Sequence, residues 1–259
     1  MGLSYLEQVP APDCASEAGR AAAAAAAADT SQNGRPRRKD KVMHWAAPFD
    51  SASLKVLYEN NNRMSAHRYS PDHAWLFLSE RQGQSIHEFA VQLSAVGTKH
   101  TLARYGAEDF YANPGSLVLT GGSVPGGGGF GGGGGFGGAR GGGETVQLSA
   151  DGSSAFFYGT AYDKDPVANG PKSFLDKVAV ATGRKTRVFE SSNEGAWERV
   201  TSILDIDAAK FVVSRETPTQ APQFHLREGS RLGAQLTDNK DYSPDLTSAP
   251  KERFVVERP

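Results

Sequence analysis

The chain has 259 residues, 38% of them hydrophobic and 22% charged, and a formal net charge of −1. That length accommodates one large domain or two ordinary ones, and the near-neutral balance supplies no field of one sign that would favour nucleic acid or an anionic membrane as a partner. The single cysteine, Cys14, excludes an intrachain disulfide and a thiolate-rich metal site, and no apolar run approaches the ~20 residues that span a bilayer.

Residues Met1 to Pro10 lack a basic region followed by an apolar core, so they do not read as a secretory signal. Gly2 to Glu7 reads as a strand. A biased stretch over 15–40 follows, with an unbroken alanine run from Ala21 to Ala28 that is too short to hold a helix in water. The polar segment after it, and the basic cluster Arg35 to Lys41 within it, read as a solvated loop rather than a nucleic-acid patch. Val42 to Ala46 and Leu54 to Tyr58 read as two further strands.

A repeated unit then begins. In each copy an opening strand meets a turn containing Asp, then a short apolar strand, a second strand and a closing strand. The opening strands are Met64 to Tyr69, Thr145 to Leu148 and Arg199 to Leu204. The turns centre on Asp72, Asp151 and Asp207, and the apolar runs are Trp75 to Leu78, Ala155 to Tyr158 and Phe211 to Val213. Asp and Gly suit the turns, whereas aromatic and β-branched residues suit the strands. Second strands fall at Ile86 to Leu93, Phe174 to Ala181 and Gln223 to Arg227. Closing strands fall at Lys99 to Ala103, Lys185 to Phe189 and Ala234 to Thr237, after turns that contain Gly183 and Gly229 in two of the units.

Asp207 follows Asp151 by 56 positions and Asp151 follows Asp72 by 79; removing the 23 residues of 121–143 restores 56. That segment is mostly glycine, with Phe130, Phe136 and Arg140. It cannot bury enough apolar surface to offset its ordering entropy, so it reads as an insertion into a regular repeat. Phosphate-loop patterns match trivially inside such a tract, and one arginine is too few for an RNA-binding tail. The fold class expected is all-β: about four consecutive four-stranded antiparallel β-propeller blades over 1–250, in an incomplete ring, interrupted by low-complexity loops at 15–40 and 121–143.

Candidate chemical groups are sparse. The histidines His44, His67, His73, His87, His100 and His225 form no metal-ligand spacing and read as strand or turn surface positions. Asp163, Asp165 and Asp176 lack the rest of an EF-hand pattern and read as solvated turn residues. Trp45, Trp75 and Trp197 read as core or blade-packing residues. No cofactor or metal is expected.

Four segments carry a family resemblance: Val42-Met43-His44-Trp45-Ala46-Ala47-Pro48-Phe49, Gly159-Thr160-Ala161-Tyr162-Asp163-Lys164-Asp165, Trp197-Glu198-Arg199-Val200 and Val213-Ser214-Arg215-Glu216. They resemble the propeller of bacterial and plastid prolyl oligopeptidase-family serine peptidases, nearest the glutamyl endopeptidase-like branch. Leu236 to Leu246 resembles the segment that ends the propeller there. The resemblance implies a propeller that gates and selects peptide substrates for an α/β-hydrolase domain carrying a Ser-Asp-His triad, with 251–259 as the start of a linker to that domain. It also implies a soluble protein of a plastid or of the bacterial periplasm or cytoplasm. The implied partners are that hydrolase domain and peptides, with no nucleic acid and no membrane. A stand-alone interaction propeller or a degenerate peptidase copy is the alternative.

The nucleophile elbow Gly-x-Ser-x-Gly occurs nowhere; Gly121-Gly122-Ser123-Val124-Pro125 fails at its last position. No position is therefore assigned as catalytic. An incomplete ring also leaves apolar faces on its two end blades, so the chain expressed alone is expected to self-associate. The purified chain should neither hydrolyse peptides nor react with a serine-directed fluorophosphonate; stoichiometric labelling of one serine would refute this reading.

Overall fold

The computed structural model describes residues 2–8, 16–21, 40–121, 144–165, 169–192, 195–249 and 256. Of the loop expected at 15–40, residues 16–21 and 40 are described: 17–21 form one helical turn and Asp40 opens a strand. The rest of it, and the segments at 121–143 and 251–259 apart from Gly121 and Val256, lie outside the described residues. The described strands form four antiparallel sheets in chain order. The first holds β1 (Gly2–Glu7), β2 (Asp40–Ala46) and β3 (Leu54–Asn60). The second holds β4 (Arg63–Tyr69), β5 (Trp75–Gln82), β6 (Ser85–Gln92) and β7 (Lys99–Gly106). The third holds β8 (Ser116–Leu117), β9 (Ser154–Ala161), β10 (Lys172–Ala179) and β11 (Lys185–Glu190). The fourth holds β12 (Trp197–Asp205), β13 (Lys210–Thr217), β14 (Gln220–Glu228) and β15 (Arg231–Gln235). Within each sheet every strand pairs with its neighbour in sequence, and the architecture is that of β-propeller blades, about four of them, in a ring that does not close.

The stacking of these sheets follows from the period of two along a strand, which sends successive side chains to opposite faces. Counted from each turn aspartate, the residues four and six places on face the preceding sheet. The residue five places on faces the following one. Leu76 and Leu78 pack with Val42 and Tyr58 of the first sheet, whereas Phe77 packs with Leu148, Ala155 and Phe157 of the third. Phe156 in turn packs with Val200, Ile203, Phe211 and Val213 of the fourth sheet. The strands after the first two Asp turns are therefore apolar at consecutive positions because both of their faces are covered. Phe77, Phe156, Phe157 and Phe211 are all fully buried, and each contributes roughly 1.5–3 kcal/mol by leaving water.

The Asp turns hold the entry to that strand. In the first, Asp72 Oδ1 accepts from Ala74 N at 3.0 Å, and Ser70 Oγ accepts from Trp75 N at 2.9 Å. The second repeats this with Asp151, which accepts from Ser153 N at 3.0 Å, and Ser149 Oγ, which accepts from Ser154 N at 3.0 Å. Hydrogen bonds from Ser149 and Ser153 pull the Asp151 carboxyl down to about 2. The third turn differs. Asp205 Oδ1 closes it by accepting from Ala208 N at 2.9 Å. The Asp207 carboxylate instead reaches back to accept from Ala150 N of the previous turn at 2.8 Å. A local motif has here become a tie between two sheets. Gly183 is needed in its own turn, with φ of 69°, because a Cβ there would lie 2.4 Å from the Thr101 carbonyl oxygen of the second sheet.

One strand assignment is corrected. The third sheet opens with Ser116–Leu117, not with Thr145 to Leu148 alone. Leu117 pairs with Phe157. Leu119 then bridges to Val146, and Leu148 bridges to Ala155. The glycine tract thus interrupts the opening strand instead of preceding it. Thr120 N donates to Thr145 O at 2.8 Å and Gln147 N to Val118 O at 2.8 Å, so the two flanks of the tract already form a ladder. Replacing residues 122–143 by Asn-Gly should leave the far-ultraviolet spectrum unchanged and raise the melting temperature, since shortening the loop lowers closure entropy by roughly 2 kcal/mol. Loss of cooperative melting would show that the tract itself contributes structure.

Candidate functional site

Two places gather polar or aromatic groups beyond what the sheets need. The first is a buried carboxylate at the seam of the first two sheets. Glu80 on β5 has a side chain with no solvent exposure. It accepts from Lys99 Nζ at 3.1 Å, from Gln82 Nε2 at 2.9 Å and from the amides of Asn60 and Asn62, and it pairs with His87 Nδ1 at 3.0 Å. Burial pushes this carboxyl up, but the hydrogen bonds from His87 and Lys99 and the Lys99 charge outweigh it and hold Glu80 below its usual range. The far nitrogen of His87, Nε2, meets Thr101 Oγ1 at 2.9 Å. Every partner serves to hold the charge in place, and Asn60 and Asn62 flank the connection between β3 and β4. The cluster fixes that connection. It presents no nucleophile to solvent.

The second place is a depression of about 550 Å³ on the rim where β5 turns into β6 and β7 leads towards β8. Arg81, Gln84, Ser85 and 106–111 line it. Asp109 shapes the connecting loop, its Oδ1 accepting from Tyr111 N at 3.1 Å and Ala112 N at 3.2 Å. That turn pushes Phe110 and Tyr111 outward. Their rings stack with centroids 4.2 Å apart, and Tyr162, from the turn after β9, meets Phe110 edge-on at 5.5 Å. Phe110, Tyr111 and Tyr162 are 51%, 45% and 48% exposed. Three large rings held half in water on one rim form a patch suited to an apolar or aromatic side chain of a ligand.

The sequence-based candidates are distributed as follows. His87 is buried, not on the surface as expected, because it and Lys99 together hold the Glu80 charge inside the seam. Asp163 and Asp165 do lie exposed in the turn after β9, but Asp176 is buried on β10, where it is ion-paired with Arg187 at 2.5 Å and Lys185 at 3.4 Å. Trp75 packs at the core between the second and third sheets, edge-on to His100 at 5.1 Å. Trp45 is half-buried and donates from Nε1 to Asp50 O at 2.8 Å. Among the described residues, no group of three or more His, Cys, Asp or Glu side chains converges as a metal site would require. Cys14 and Ser123 lie outside those residues. The rim patch went unread because its three rings come from two loops far apart in sequence, neither with a periodic pattern.

No family description and no curated protein matches this chain. Solved structures share its architecture. TolB from Acinetobacter baumannii is 13% identical, over 76% of this chain and 36% of its own length, with a TM-score of 0.37. A structure from work on two prolyl endopeptidases is 8% identical, over 79% of this chain and 27% of its own, with a TM-score of 0.40. Oligopeptidase B from Trypanosoma brucei is 10% identical, over 78% and 31%, with a TM-score of 0.35. The chain spans no more than 36% of the length of any of these three. Such likeness concerns architecture alone, and the chemistry has to be read from the chain's own side chains.

One side chain departs from the packing pattern. Glu88 on β6 faces the third sheet; the corresponding position there, opposite Tyr158 as Glu88 is opposite Ser79, is Leu175. Burial pushes the Glu88 carboxyl from 4.5 up to about 8, even though Ser79 and Tyr105 donate to it and pull it back down. Its Oε2 has no partner. Because the folded value is raised, the stabilisation is fully present below the unfolded value near 4.5. It is lost as pH rises through about 8, amounting to roughly 3 kcal/mol by neutrality. Glu88→Leu should therefore melt higher than the parent, by a margin that widens between pH about 5 and about 8.5. A margin independent of pH would show that Glu88 is ionised in the folded chain.

Proposed function

We propose that this chain is the substrate-selecting propeller segment of a prolyl oligopeptidase-like serine peptidase, of the glutamyl endopeptidase-like branch. In this reading it admits peptides and excludes folded proteins, and an α/β-hydrolase domain supplies the triad. The observation that carries the reading is the rim patch: Phe110, Tyr111 and Tyr162 offer about half of each ring to solvent beside a depression of about 550 Å³. A sequence that contains no nucleophile elbow accords with a role in binding rather than in bond cleavage.

The chemistry of the patch defines what it selects. Stacked rings reward a flat or branched apolar side chain, whereas the Ala107 and Asp109 amides beside them are already engaged by Gln84 O and Gly106 O, so the rings set the selection. A folded protein keeps most such side chains buried, so an unfolded or short peptide is the better match.

The test is a calorimetric titration of the chain with a short peptide of central Phe or Leu, against the same peptide with Gly there. Binding should depend on the central side chain. The double substitution Phe110→Ala with Tyr111→Ala should weaken it at least about tenfold, which corresponds to about 1.4 kcal/mol. Both rings are exposed, so folding should be preserved. Equal affinity for the Phe and Gly peptides, or no effect of the double substitution, would overturn the reading.

A further inference from the structure

The two end faces of the stack carry a second inference, independent of the peptidase reading. Each sheet has an upstream face, towards the preceding sheet, and a downstream face, towards the following one. The fourth sheet has no following sheet among the described residues, and the first has no preceding one.

The downstream face of the fourth sheet keeps the internal pattern. Val212 stands five places after Asp207, as Phe77 stands after Asp72 and Phe156 after Asp151. Both phenylalanines are buried by the next sheet in line. Val212 pairs with Leu226, and Phe224 lies next along the same face, paired with Ser214. Leu236 N donates to Phe224 O at 2.7 Å, which sets Leu236 beside Phe224, and Leu236 is 54% exposed.

The upstream face of the first sheet is apolar in the same way. Val42 and Tyr58 point at the second sheet, so Met43 and its cross-strand partners point away from it. Those partners are Tyr5 and Val56; one step along are Trp45 and its partners Leu3 and Leu54. Met43 at the centre is buried at 6%, while Leu3, Tyr5, Leu54 and Val56 around it are 58%, 40%, 37% and 47% exposed. Soluble chains rarely leave so continuous an apolar sheet face uncovered.

What covers each face is indicated by the three internal seams. In every one, a downstream face meets an upstream face, and the described residues leave one of each without a neighbouring sheet. These surfaces are complementary to one another, which makes the contact head-to-tail. We propose that the fourth sheet of one copy docks on the first sheet of a second copy, and that the reciprocal contact closes two copies into one ring of eight sheets. Eight is within the blade number of closed propellers, and closure covers both ends at once. A sheet face three strands wide and about 23 Å long spans roughly 300 Å². Two contacts, each removing two such faces, bury about 1,200 Å², the lower end of the range for specific complexes.

The experiment is light scattering after size exclusion on the 259-residue chain and on two single-face variants, Val56→Asp and Leu236→Arg. Both substituted positions are about half exposed, and circular dichroism should confirm that the variants fold. The parent should run at twice 27.5 kDa. Each variant alone should run as a monomer, because every head-to-tail contact uses both faces. Mixing the two variants should restore a dimer, because one contact is unaltered and the other brings the two introduced charges, opposite in sign, together. A monomeric parent would overturn the proposal. So would a dimer that persists in either variant, which would indicate a contact of one face with itself. An open series of higher oligomers would overturn ring closure.

Discussion

Burial of consecutive apolar residues on the strand after each Asp turn is the constraint on which the rest of the structure depends. A strand in the middle of a stack is covered on both faces, so the usual alternation of apolar and polar residues disappears. Leu76, Phe77 and Leu78 can all be apolar only because the first sheet receives two of them and the third receives the other. Phe156 and Phe157 divide in the same way between the fourth sheet and the second. Each inner sheet is then half of two cores and complete in neither, so the sheets stabilise one another as a row.

Polar groups inside this row are tolerated where they are fully partnered. Glu80 and Asp176 are both buried carboxylates, and both are met by cations of the same sheet, Lys99 two strands away in one case and Arg187 with Lys185 on the adjoining strand in the other. Glu88 lacks such a cation and has only hydroxyl partners, Ser79 and Tyr105. The same burial therefore has opposite outcomes: Glu80 stays an anion, whereas Glu88 keeps its proton. The seam between the second and third sheets is accordingly destabilised as pH rises and Glu88 loses its proton.

The rim is governed by different physics. Its loops need only close the distance between strands, and their side chains are free to face solvent. The Asp109 turn uses that freedom to set Phe110 and Tyr111 outward, and Tyr162 arrives from the next sheet. A rigid row of sheets thus presents a small aromatic surface whose shape is set by the spacing of two sheets and by no single segment.

The strands and their order were legible in the sequence because they depend on local pattern: an Asp turn, an apolar run and a return at a spacing near 56 residues. Gly2–Glu7 coincides with its expected bounds, and the other main strands fall within a few residues of theirs. What local pattern could not give was anything that depends on two distant segments meeting. The third sheet opens at Ser116 because the flanks of the glycine tract pair with each other across it. His87 is buried because Lys99 and two asparagines converge with it on one carboxylate, and Asp207 binds the turn of the previous sheet instead of its own. The aromatic patch and the two end faces belong to the same class. By itself the sequence determined strands, turns and their repetition, since each needs only neighbours along the chain; the tertiary structure decided which faces and loops meet, since a pairing energy exists only once the sheets are stacked.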